Sequence, residues 1–123
     1  MITAIKNVRV FNGITLTEMT NVVFDHGYIT SVGPAVPPMS EIIEGYGLIL
    51  LPGKVDERTH DFDIGKEAIE PGRKANFGLM EENATTMTTV WRNGVMECKT
   101  VKNYAACAVI DVSALKVNVV QEA

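Results

Sequence analysis

Cysteine is scarce in this sequence, with Cys98 and Cys107 the only two. Two thiols without paired spacing do not make a zinc ribbon and are too few for a disulfide framework, so both are read as free, partly buried thiols. Long apolar runs are also lacking. No stretch approaches the ~18 residues of a membrane helix, and the opening Met1-Ile2-Thr3-Ala4-Ile5-Lys6 has no signal-peptide core. The expectation is therefore a cytoplasmic protein with no membrane partner, in which the sequon Asn83-Ala84-Thr85 stays unmodified. Basic charge is in short supply as well: Lys plus Arg number 11 against 15 Asp plus Glu, and a net charge of −4 argues against nucleic acid as a partner. Length sets a further bound, because 123 residues cannot contain a (β/α)8 barrel, which takes typically ~250. What is present, 46% hydrophobic and 21% charged residues, is the balance of a folded domain with a core.

No sustained helical period occurs before residue 100, whereas β signals recur. Ala4 to Phe11 mixes β-branched and polar residues and stops at Asn12-Gly13, a turn dipeptide. Asn21 to Phe24 and Tyr28 to Gly33 flank Asp25-His26-Gly27, which predicts a hairpin with His26 as a turn residue rather than a catalyst. Pro34, Pro37 and Pro38 mark a loop before a short strand, Glu41 to Glu44. Leu48 to Leu51 is wholly apolar, as suits a strand covered on both faces. Charge then dominates from Lys54 to Asp63, read as a loop. Strand signals return at Ala75 to Met80 and at Met87 to Arg92, where Asn93-Gly94 turns the chain into Val95 to Cys98. Phe77 and Trp91 fall in these strands and are assigned to the core. Tyr104 to Val120 is apolar and reads as added strand or short helix. The fold class is mainly β, a sandwich or open barrel in a single domain over 1–100: strands within 3–52, a loop over 53–68, returning strands within 69–98, and a C-terminal extension, 101–123.

Four segments resemble the amidohydrolase superfamily of metal-dependent hydrolases. Asn7 to Gly13 and Gly27 to Gly33 are similar to that family's N-terminal strand motifs, and Pro52, Gly53, Asp56 and His60 fit its P-G-x-x-D-x-H-x-H segment. Ile69 to Phe77 and Val90 to Gly94 resemble its returning C-terminal strands. The resemblance implies the composite β-sandwich that these enzymes build from both ends of the chain, with the catalytic barrel between the two ends missing. In the family the two histidines of H-x-H bind a catalytic metal; here Arg58 stands at the first of them. A guanidinium is no ligand and repels a divalent cation, and His60 alone makes no site, so no metal and no other cofactor is expected. The glycines at 45, 47 and 53 lack a phosphate-loop arrangement, so nucleotide binding is not expected either.

Asp56, Arg58, His60 and Asp61 still concentrate the groups that move protons and hold an anion without metal. They are the candidate catalytic residues, set against the alternative of a solvated loop left where the barrel would begin. The sandwich face that meets the barrel in such enzymes must be covered by something else, and a homodimer is the expected solution, with a small organic ligand at its seam. Two functions follow. One is a barrel-less binding or assembly module without metal-dependent hydrolase activity; the other is a small metal-independent isomerase, cyclase or lyase working through the 56–63 loop.

Overall fold

The structure, a computed structural model, describes residues 1–12, 14–55, 62–65, 67–81 and 87–99, with backbone only for Val55, Cys98 and Lys99. Its first strand, β1 (Thr3–Val10), belongs to two layers at once. The first half of β1 lies between β2 (Thr20–Asp25), antiparallel with Thr3 opposite Phe24, and β4 (Glu41–Glu44), parallel with Thr3 opposite Glu41. Its second half pairs instead with β5 (Leu48–Val55), Arg9 opposite Ile49 and Val10 opposite Leu50. Between the halves the ladder shifts register, and Asn7 takes a φ of 58°. Asparagine tolerates this left-handed conformation, and a bulge of this kind bends its strand. The bend is held from both sides: the Asn7 amide donates to Asn21 Oδ1 at 3.0 Å, and Asn7 Nδ2 donates to Glu44 Oε1 at 3.3 Å.

The remaining strands extend the two layers. β3 (Tyr28–Gly33) pairs with β2 on one side. On the other, β7 (Phe77–Glu81), β8 (Met87–Arg92) and β9 (Val95–Lys99) follow β5 in antiparallel succession. The strand order is β3-β2-β1-β5-β7-β8-β9, a mixed sheet folded on itself into a sandwich. Strands from before the charged segment and strands from after it are thus directly paired, Leu50 opposite Leu79.

Alternation along the strands sorts the apolar residues into two cores. Ile5, Val22, Phe24, Leu50, Phe77, Leu79 and Trp91 meet between the layers. Ile49, Leu51, Met80, Met87 and Val90 form a second cluster on the opposite face of β5, β7 and β8. The run Leu48 to Leu51 is therefore covered on both faces, as its composition predicts, with Ile49, Leu50 and Leu51 all buried. Phe24, Phe77 and Trp91 pack edge to face with ring centroids 5.2 to 5.8 Å apart. This triad ties β2 to the returning strands through the geometry that aromatic pairs prefer.

The turns at Asp25-His26-Gly27 and Asn93-Gly94 behave as their residues predict, while Gly13 of the Asn12-Gly13 turn lies outside the described residues. His26 and Gly27 have φ of 53° and 84°, Asn93 and Gly94 of 50° and 79°, the two positive φ values that a tight hairpin turn requires. The stretch 53–68 differs from the expected loop. β5 continues through Pro52 and Gly53 to Val55, and Phe62–Ile64 forms a further strand, β6, paired antiparallel with it. Phe62 explains the difference, because its burial against the second cluster outweighs the polar character of its neighbours. No helix occurs among the described residues, and none there is long and apolar enough to cross a membrane. The extension 101–123 lies outside the described residues.

Candidate functional site

The β5–β6 hairpin carries the segment that sequence reasoning singles out. Gly53, Lys54 and Val55 pair with Ile64, Asp63 and Phe62. Residues 56–61 connect the two paired ends, and Asp56, Arg58, His60 and Asp61 all lie outside the described residues. What is described is the base of the ribbon. Gly53 has a φ of 143°, and a β-carbon there would overlap the Asp63 carbonyl oxygen and stand 2.9 Å from the Phe62 ring. Only glycine permits so close an approach of β6. The Phe62 ring also lies over Gly78, where an added β-carbon would meet it at 3.1 Å. Two glycines thus form the seat for one phenyl ring, and that ring, with Ile64 and Leu16, packs against the second core. Asp63 is exposed at the ribbon's edge, and among the described residues no three His, Cys, Asp or Glu side chains converge as a metal site would need.

A second feature lies where the hairpin turns of the two layers meet. Gly94 approaches Gly27 so closely that a β-carbon on Gly94 would stand 2.8 Å from the Gly27 α-carbon. The returning segment before β7 joins the turns: the Ala75 amide donates to the Gly27 carbonyl at 2.9 Å, and the Gly94 amide donates to the Ala75 carbonyl at 2.9 Å. The Asn93 amide donates to Asn76 Oδ1 at 2.7 Å, and the Ile29 amide to the Arg73 carbonyl at 2.8 Å. Above this frame is an open groove of about 480 Å³ lined by His26, Tyr28, Lys74, Asn93 and Val95 beside the two glycines.

The groove's electrostatics follow from its neighbours. His26 Nδ1 lies 3.1 Å from Asp25 Oδ1. Arg73, next to Lys74, turns to Glu67 at 2.6 Å and Glu70 at 3.2 Å. The hydrogen bond with Glu70, followed by the charge of Glu67, raises the Arg73 pKa above its ordinary value. Lys74 makes no ion pair with any of these groups and projects from an exposed position on the groove wall. Sequence reasoning identified both turns but not their meeting, since Gly27 and Gly94 lie far apart in the chain. The signal that could have pointed to it is the pair of positive-φ dipeptides, each ending in a glycine that no side chain shields.

Comparison with known proteins supports the likeness read from the motifs. Over 55 residues the chain is 40% identical to dihydroorotase from Mycobacterium tuberculosis, and equally to that from Mycobacterium bovis. The resemblance is to the amidohydrolase superfamily. The matched region is 43% of this chain and only 13% of the mycobacterial enzyme, so the chain spans a small fraction of those relatives' length. No family model matches the chain. Among solved structures it is similar to dihydropyrimidinase from Brevibacillus agri (26% identity, TM-score 0.41, 46% of this chain and 12% of that one). It is also similar to beta-aspartyl dipeptidase from Fervidobacterium islandicum (38% identity, TM-score 0.38, 46% of this chain and 15% of that one).

Proposed function

We propose that this chain acts as a small-molecule-binding or assembly module in the cytoplasm, without the metal-dependent hydrolysis of its amidohydrolase-like relatives. One observation carries the reading. The strand bearing Pro52 and Gly53, which in the family leads toward the barrel, here turns back on itself, and Phe62 returns to cover Gly53 and Gly78. An apolar face that would need a large partner is instead closed in part by the chain's own hairpin. Arg58 at a position where the family has a metal-binding histidine supports the same reading. Self-association along β9, the last described strand of the sheet, would bury the Met96 side chain still exposed there, so the module is proposed to be a homodimer.

A native mass spectrum of untagged protein, together with an assay for dihydroorotate hydrolysis in added zinc, tests this. The expected result is a metal-free dimer with no turnover; zinc-dependent hydrolysis, or stoichiometric retained zinc, would overturn it. The acid–base reading keeps one point in its favour. Pairing of Val55 with Phe62 confines Asp56, Arg58, His60 and Asp61 to a single short connection. If that connection catalyses an isomerase, cyclase or lyase reaction, His60→Ala abolishes turnover while the urea unfolding midpoint stays in place.

A further inference from the structure

The groove between the two hairpin turns combines cationic and apolar groups. In a chain of net charge −4 its lining holds no carboxylate, but it has the Lys74 ammonium, the His26 imidazole and the Asn93 side-chain amide. It also has apolar walls: the Tyr28 side chain is 48% exposed and Val95 is 67% exposed. Tyr28 and Lys74 face each other across an antiparallel bridge, which sets their side chains side by side on one face. We propose that this groove binds a small aromatic carboxylate, its ring against Tyr28 and Val95 and its carboxylate on the Lys74 ammonium with the Asn93 side-chain amide beside it.

Three physical points support that ligand class. The frame is fixed before binding, because Gly27, Ala75 and Gly94 are interlocked by backbone hydrogen bonds and the Asn93 backbone amide is held by Asn76 Oδ1, so little ordering cost falls on the complex. The neighbouring cation, Arg73, is engaged by Glu67 and Glu70, which leaves Lys74 to meet an incoming anion. The volume, about 480 Å³, suits one ring with a short substituent. A different exposed apolar pair makes the contrast: Ile42 and Tyr46 lie beside Glu41 and Glu44 at β4, where a carboxylate would be repelled.

This proposal rests on reading the chain as a ligand-binding module, and its test is independent of what any retained ligand proves to be. Benzoate is titrated into isotope-labelled protein and followed by amide chemical shifts, with benzamide as the uncharged control and acetate as the ringless one. The expected result is a saturable shift confined to Gly27, Tyr28, Gly94 and Val95, with a dissociation constant on the order of millimolar, as fits one exposed charge and one ring. Lys74→Gln should weaken benzoate about fivefold and leave benzamide unchanged, while Tyr28→Ala should weaken both. Both side chains are exposed, so the variants keep the fold. No saturable shift at these amides, or equal affinity in Lys74→Gln, would overturn the groove assignment. A native spectrum showing an organic adduct alongside such a failure would place the ligand elsewhere, removing this site while leaving the binding-module reading intact.

Discussion

The two faces of β5 and β7 carry similar aliphatic side chains but are closed in different ways. Between the layers, Leu50, Phe77 and Leu79 meet Phe24 and Trp91, and the rings interlock edge to face from two different layers. On the outer face, Ile49, Leu51 and Met80 meet Met87 and two aromatic rings, Phe11 just after β1 and Phe62 on a three-residue strand. The inner core is redundant, since several elements hold each ring. The outer core takes one of its two rings from a hairpin, and that hairpin depends on two glycines. The difference shows how a sandwich of interleaved strands can tolerate a change of connection on its outside while its inside stays the same.

The comparison can be broken or sharpened by substitution, starting with the same change in both cores. Phe77→Ala should cost about 4 kcal/mol in urea denaturation, the cost of an aromatic-sized cavity with neighbours too constrained to collapse. Phe62→Ala should cost less, about 3 kcal/mol, because the flexible Met80 and Met87 can move toward the space. Equal losses would mean that the hairpin is as deeply integrated as the layers themselves. Gly53→Ala tests the hairpin's seat: overlap with the Asp63 carbonyl and the positive φ together should cost about 2 kcal/mol, and amide exchange should speed up in β6 more than in β7. Where the two hairpin turns meet, Gly94→Ala should cost about 1 kcal/mol, because φ is 79° and the Gly27 α-carbon stands in the way. The smallest effect belongs to Arg73→Ala. Its pairs with Glu67 and Glu70 are solvent-screened, so the urea midpoint should not move measurably and should be insensitive to added salt.

Much of the fold is legible from local chemistry. Asn93-Gly94 and His26-Gly27 announce their hairpins because few residues accept two consecutive positive φ values, and the observed angles follow suit. Glu41 to Glu44 is bounded by proline on one side and glycine on the other, and the strand has those limits. β6 is not legible in this way. Phe62-Asp63-Ile64 sits in a charged stretch and is too short for periodicity, and its strand character comes from pairing with Lys54 and its neighbours and from the buried Phe62 ring. The candidate catalytic groups Asp56, Arg58, His60 and Asp61 are legible as a cluster of chemistry, and the structure describes only the ribbon that bears them. The groove is the reverse case: Tyr28, Lys74 and Val95 are unremarkable as single residues and become a site only when three distant segments meet.

The amino-acid sequence alone determined the β class, the hairpins at His26-Gly27 and Asn93-Gly94, and the covering of Leu48 to Leu51 on both faces, because φ preferences and strand composition act over a few neighbours. The likeness to amidohydrolase-superfamily enzymes is also written there, in motifs that keep their order while the spacing between them collapses. Tertiary structure decided which strands pair across that gap, that Phe62 returns to seat on Gly53 and Gly78, and that two separate turns close on each other to frame a groove. These outcomes depend on packing and on close approach of backbones distant in the chain, and no window of neighbouring residues contains that information.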